Sequence, residues 1–278
     1  METRIKLPGV ATVGGVLDRI VEAKAARLET AKRETPLDAL IGRAAETSNR
    51  ASRSFAKALA RTDRVNLIAE IKRRSPSKGV IREDFDPVRI ARGYASAGAA
   101  ALSVLCEEDF FDGSLEHLKV VRDVVDLPVL RKDFIIDEYQ VYETAATGAD
   151  AVLLITAILD DGLLARLLRI ARKLNLEALV EVHTRHEMTR AARAGGNLLG
   201  VNNRDLTTFD VDLQTSIEVA ASAPRDAVLI SESGITCGDD IRRLKRAGFS
   251  AFLVGEHFMR ADDPGRALRE LIVEAGGE

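Results

Sequence analysis

Cysteine is scarce in this chain: Cys106 and Cys237 are the only two among 278 residues. They form neither a metal-binding spacing nor a disulfide framework, and no Cys–His arrangement marks either as a nucleophile. A reducing, cytoplasmic setting is expected. Long apolar runs are missing as well. The longest, "AVLLITAIL" from Ala151 to Leu159, is far too short to cross a bilayer, and "METRIKLPGV" lacks the apolar core of a signal peptide. Nor is there a surplus of positive charge. The formal net charge is −3, so no whole-protein field draws the chain to nucleic acid or anionic lipid. Walker and dinucleotide glycine fingerprints are absent, and no cofactor is implied. "HTRHE" offers His183 and His186 at helical spacing, but no third ligand is visible and a metal site is not expected.

What is present is material for a large core. Hydrophobic residues make up 46% and charged residues 30%, as in soluble globular proteins, and the length suits one α/β barrel, although two ordinary domains would also fit. Four stretches read alike: "SAGAAALSVL", "ATGADAVLLI", "RAGGNLLGVN" and "RAGFSAFLVG". Each is a helix end, a glycine suited to the left-handed closing turn, and an apolar strand. The glycines Gly98, Gly148, Gly195 and Gly248 are spaced by 50, 47 and 53 residues, about two strand–helix units each. "LPVLRKD", "LEALVEVH" and "DAVLISES" supply the strand inside each gap, and "NLIAEIK" precedes the first repeat.

Eight apolar strands alternating with helices predict a parallel sheet closed into a single (β/α)8 TIM barrel over residues 63–278. An open doubly wound sheet is the structural alternative. Residues 1–62 read as a helical extension packed on the barrel, over one end. Val13, Val16, Leu17, Ile20 and Leu28 fall near one helical face, and Ser54, Phe55 and Leu59 belong to a further short helix. The extension serves either as extra core cover or directly in binding.

In such a barrel the carboxyl ends of the strands form the site. There the first strand delivers Glu70 and Lys72, the third Lys132 with Phe134, and the fifth Glu181. The sixth brings Asn202 and Arg204, the seventh Glu232, Ser233 and Gly234, and the eighth Gly255. Alternation puts Glu70, Lys132, Glu181 and Glu232 at the ends of inward-pointing rows. A structural ion-pair network is the rival reading, but burying several charges is costly unless a ligand uses them. Gly234 and Gly255 follow the last two strands, where backbone N–H groups commonly bind phosphate.

"AEIKRRSPSKG", "PVLRKDFIID", "ALVEVH", "GVNNRDLTTFDVD" and "ISESGI", in this order, resemble the indole-3-glycerol-phosphate synthase family of tryptophan biosynthesis. The resemblance implies a carboxy-lyase. Its substrate is 1-(2-carboxyphenylamino)-1-deoxyribulose 5-phosphate, and its products are indole-3-glycerol phosphate, carbon dioxide and water. By the same resemblance Lys132 is the general acid and Glu181 the general base of the dehydration. Lys72 holds the substrate carboxylate and assists hydroxyl loss, with Glu70 and Asn202 orienting these groups. Ser75 helps seat the carboxylate, Phe134 offers the ring an apolar wall, and Arg204 and Glu232 complete the polar wall. Ser233, Gly234 and Gly255 hold the phosphate, with Lys72 and Glu256 also in that set.

Two departures stand out. Glu256 follows Gly255 within the span where the family often has serine, so Glu256 must turn away, and Cys106 replaces a common threonine. Lys72 beside Lys132 is expected to ease deprotonation, bringing a lysine toward working pH. The 73–78 loop is a candidate lid, with Arg73 and Arg74 either part of it or solvated surface charges. The expected partner is a small phosphorylated molecule, not nucleic acid or membrane, and association with other tryptophan-pathway enzymes stays open. A sister barrel such as phosphoribosylanthranilate isomerase, or a non-catalytic binding barrel, are the alternatives. Isomerase chemistry leaves the set Lys72, Lys132 and Glu181 unexplained.

Overall fold

Eight short apolar segments pair edge to edge, each parallel to the next, until the last meets the first. They are β1 (Asn66–Ile71), β2 (Ala101–Leu105), β3 (Val129–Lys132), β4 (Ala151–Ile155), β5 (Glu177–Val182), β6 (Leu198–Asn202), β7 (Val228–Glu232) and β8 (Ala251–Val254). Closure is made by β1 on β8, with Asn66 opposite Ala251 and Ala69 opposite Val254. A computed structural model describes residues 8–48, 53–205 and 207–277 of the chain. The N-terminal "METRIKL", residues 49–52, Leu206 and Glu278 lie outside the described residues.

The helices are α1 (Gly15–Glu34), α2 (Leu37–Ser48), α3 (Phe55–Leu59), α4 (Pro87–Ala97), α5 (Leu115–Val124), α6 (Glu138–Ala146), α7 (Asp161–Lys173), α8 (Arg185–Arg193), α9 (Gln214–Ala220), α10 (Gly238–Arg246), α11 (Glu256–Arg260) and α12 (Pro264–Glu274). Their starts follow local chemistry. Asp86, Ser114, Asp137, Asp160 and Thr184 each accept a backbone N–H of the first turn with the side chain. At the far ends, Gly98, Gly148, Gly195 and Gly248 all take positive φ, as their place before each strand predicted. The strands are buried on both faces because helices cover the outside and side chains fill the inside.

The extension does not sit over one end, as its sequence suggested; it reaches both. Helix α1 lies across the carboxyl ends, where Val16, Leu17 and Ile20 border the central cavity. Val13 is not on its buried face: it precedes the helix, is exposed, and donates its N–H to Asp18 Oδ1 at 2.9 Å. Helix α3 instead closes the amino ends. The Asn66 amide there donates to Leu59 O (2.9 Å), Arg61 O (2.8 Å) and Ser250 O (2.9 Å), and Glu177 accepts from the α3 start at Ala56 N (2.7 Å). Among the described residues, no helix is long and apolar enough to cross a membrane.

One buried ion cluster ties α1 to the end of β3. Lys24 Nζ lies 2.9 Å from Asp133 Oδ1 and 2.7 Å from Glu108 Oε2, while Arg131 reaches Asp133 Oδ2 at 2.8 Å. Burial raises the Asp133 carboxyl, but Lys24 and Arg131 outweigh it and hold the group ionised. Lys24→Met strips one partner from this cluster and leaves Arg131 to compensate. We expect a loss of about 3 kcal/mol, read from urea denaturation midpoints, the lower end for breaking a buried pair.

Candidate active site

The inward rows of the barrel begin as hydrocarbon and end as charge. Ile68, Leu130, Leu179 and Ile230 are fully buried, and two residues further along their strands stand Glu70, Lys132, Glu181 and Glu232. These four border a cavity of about 590 Å³ at the carboxyl ends. Every other residue picked from the sequence as a site candidate borders the same cavity: Lys72, Ser75, Phe134, Asn202, Arg204, Ser233, Gly234, Gly255 and Glu256.

Lys132 is the hub. Its Nζ lies 3.3 Å from Glu181 Oε2 and 3.8 Å from Glu232 Oε2. Lys72 bonds instead to Glu70 near the end of the same strand, and Asn202 helps to lower the Glu181 carboxyl. Burial opposes the Lys132 ammonium, yet Glu181, Glu232 and Glu70 together raise its pKa above the ordinary lysine value. The expectation of an easily deprotonated lysine is therefore wrong for Lys132. The neighbouring cation is engaged by Glu70, and three carboxylates surround Lys132.

The carboxyls divide in role. Burial pushes Glu181 up, but Lys132 and His183 pull it down further, so it is the ionised member. Glu232, raised by burial and by repulsion from Glu181, is the member that takes up a proton more readily. Two carboxyls forced apart in this way are a common basis for acid and base assignments.

Two glycines make room for this crowd. A side-chain carbon at Gly200 would lie 2.1 Å from Glu232 Oε1, and one at Gly255 would lie 2.1 Å from Glu70 Oε2. Gly255 thus serves the carboxylates as well as the loop. Sequence reading missed Gly200, although a glycine inside a strand is itself a sign of close approach.

The walls differ in character. Phe134 and Phe111 face each other with ring centres 6.1 Å apart, and Leu105, Leu153 and Ile155 continue the apolar side. The opposite rim is polar. Ser233 has φ of 66° and Gly234 of 85°, so two left-handed residues in succession turn the chain after β7. A non-glycine residue there is strained, and such strain clusters at functional sites. Asn203 holds the turn, its side-chain amide donating to Ser231 Oγ (3.0 Å), Glu232 O (2.9 Å) and Ser233 O (3.0 Å).

Glu256 is turned aside between Arg204 Nη2 (3.5 Å) and Arg260 Nε (3.0 Å). Ser75 Oγ is buried at the cavity edge and has no hydrogen-bond partner among the described residues, and a buried polar atom of that kind asks for a ligand. Ser75 belongs to a hairpin pairing Arg74–Ser75 with Gly79–Val80, whose tip residues, through Lys78, border the cavity. Arg73 and Arg74 do not border it, and Arg74 lies 3.6 Å from Asp112. The Cys106 thiol is buried and pushed up by that burial, so it is no thiolate.

Comparison with known proteins points to one family. Residues 17–271 match the family model described as indole-3-glycerol phosphate synthase. A protein of that name from Albidiferax ferrireducens is 49% identical over 94% of this chain and 99% of its own length. Another from Carboxydothermus hydrogenoformans is 47% identical over 92% of this chain and 99% of its own. Among solved structures, 3-hexulose-6-phosphate synthase superposes with a TM-score of 0.61 at 17% identity, covering 76% of this chain and 99% of that one. Thiamine phosphate pyrophosphorylase from Pyrococcus furiosus superposes with 0.58 at 22% identity, covering 77% and 97%. At those identities the two structures speak for the barrel alone. This chain belongs to the indole-3-glycerol phosphate synthase family.

Proposed function

We propose that the cavity closes the indole ring of 1-(2-carboxyphenylamino)-1-deoxyribulose 5-phosphate, releasing carbon dioxide and water. The observation that carries this reading is Lys132 set among Glu181, Glu232 and Glu70, with an apolar wall on one side and a strained glycine turn on the other.

Lys132 gives its proton to the ketone oxygen while the ring carbon that bears the carboxylate attacks the ketone carbon. That step forms the new C–C bond. An ammonium supplies both the proton and the opposing charge as the oxygen becomes anionic. The bond to the carboxylate then breaks and carbon dioxide leaves with the ring aromatic again. Glu181 removes the proton needed for dehydration, and Lys72 assists loss of the hydroxyl. Ring closure is unimolecular, so folding the flexible substrate against Phe134 lowers the barrier by orientation. Glu70 and Asn202 hold Lys72 and Glu181 in place, and Ser75 seats the anthranilate carboxylate. The phosphate is assigned to Ser233, Gly234 and Gly255 at the start of α11, a common place for phosphate in this fold.

Residues 1–62 and 63–278 act as one domain in the cytoplasm, a reading supported by Val16, Leu17 and Ile20 of α1 bordering the site. Incubation with the carboxyphenylamino ribulose phosphate, followed by indole fluorescence, tests it. Fluorescence of indole-3-glycerol phosphate is expected, and none after full consumption of substrate would refute it. Glu256, beside the proposed phosphate, should weaken substrate binding by repulsion. Glu256→Gln is expected to lower KM about threefold at constant kcat, the scale of a partly screened charge pair.

A further inference from the structure

Glu181 has a second partner outside the cavity. One carboxylate oxygen, Oε2, faces Lys132, whereas Oε1 faces His183 Nε2 at 3.5 Å. The other ring nitrogen, Nδ1, lies 3.3 Å from Glu187 Oε2, which also accepts the His183 backbone N–H at 2.9 Å. Glu187 is itself fixed in the first turn of α8, its N–H donating to Thr184 Oγ1 at 3.1 Å. The imidazole is thus clamped between two carboxylates with its Nε2 edge aimed at Glu181. His183 does not border the cavity, so it touches Glu181 from behind. Its Nε2 is buried and makes no hydrogen bond of ordinary geometry among the described residues. That leaves it free to shorten its contact when charge on Glu181 changes.

We propose that His183, anchored by Glu187, is a positioning residue for Glu181: it fixes the carboxylate's orientation from the side away from the cavity. The inference rests on Glu181 acting as the base. The charged groups around the ring are Glu181 on β5, Glu187 on α8, Lys132 on β3 and Asp205 after β6. Burial works against a charged imidazole, but Glu187 and Glu181 outweigh it and favour the protonated ring. With the cation removed, Glu181 takes up a proton more readily. Because a base must be ionised to work, the acidic limb of the kcat profile then moves to higher pH.

The test measures kcat, KM and the pH profile of kcat for His183→Leu, His183→Gln, Glu187→Gln and Glu181→Gln. His183→Leu should lose about 10- to 100-fold in kcat, the usual effect of removing an outer partner that orients an active-site group. Its KM should stay within about twofold and its acidic limb should move up. His183→Gln keeps an N–H donor and should recover part of kcat while the limb stays displaced. If His183→Leu fails to fold, Glu187→Gln carries the same test, with a smaller loss of kcat and the same direction of limb shift. Unchanged kcat, or a loss of kcat with an unmoved limb, overturns the proposal. Glu181→Gln separates the two levels. If that variant keeps its rate, the base assignment itself fails. If it is inactive while the His183 and Glu187 variants behave as wild type, only the positioning role fails.

Discussion

Lys132→Ala should yield a folded protein whose kcat has fallen by about 10³-fold, within the range for removing a positioned general acid. Affinity for substrate should change by less than about fivefold, because the contribution is made to the transition state rather than to the bound ground state. Lys132 remains an ammonium across the neutral range, since the surrounding carboxylates raise its pKa. Its role as acid is therefore lost only far on the alkaline side. Lys132→Arg should not restore the rate, as a guanidinium holds its proton too tightly to give it up and has a different shape. The readouts are indole fluorescence for turnover and calorimetry with a ketone-reduced substrate for affinity. Affinity and rate falling together would make Lys132 a binding residue.

Glu181→Gln should also lower kcat, by about 10²- to 10⁴-fold, but it should stop the reaction at another point. Glutamine keeps the shape and an acceptor for Asn202 but takes no proton. Ring closure and decarboxylation need Lys132, whereas the dehydration needs the base. The variant is therefore expected to release carbon dioxide in a rapid first phase while indole-3-glycerol phosphate appears slowly. Lys132→Ala should show neither product. In the wild type, the net downward shift of Glu181 places the loss of activity on the acidic side, where the carboxylate is protonated. Equal rates of carbon dioxide release and indole-3-glycerol phosphate formation by Glu181→Gln would show that Glu181 does not act after decarboxylation.

Much of this was legible in the sequence because it depends on local rules. A period of two along a buried strand fixes which side chains face inward, so Glu70, Lys132, Glu181 and Glu232 could be placed together before any coordinates. The four cap glycines were legible because a left-handed turn favours that residue. What failed depends on the path of the chain in space. Lys24 meets Asp133 across more than a hundred positions, and nothing local to either announces it. The α1–α3 segment reaches both ends of the barrel because Asn66 and Glu177 at the amino ends bind α3. Pairing Lys72 with Lys132 gives the wrong sign for Lys132 because strand order does not show how strongly Glu181, Glu232 and Glu70 act on its charge. The sequence offers His183 only as a metal ligand, since its spacing to His186 is visible in one dimension and its approach to Glu181 is not.

A crystal structure with the ketone-reduced substrate, grown near neutral pH, measures the central assignment most directly. The hydroxyl that replaces the ketone oxygen should lie within about 3.2 Å of Lys132 Nζ, the ring against Phe134, and the phosphate over Gly234 and Gly255. A phosphate seated away from Gly234 and Gly255, with that hydroxyl out of reach of Lys132, would contradict it.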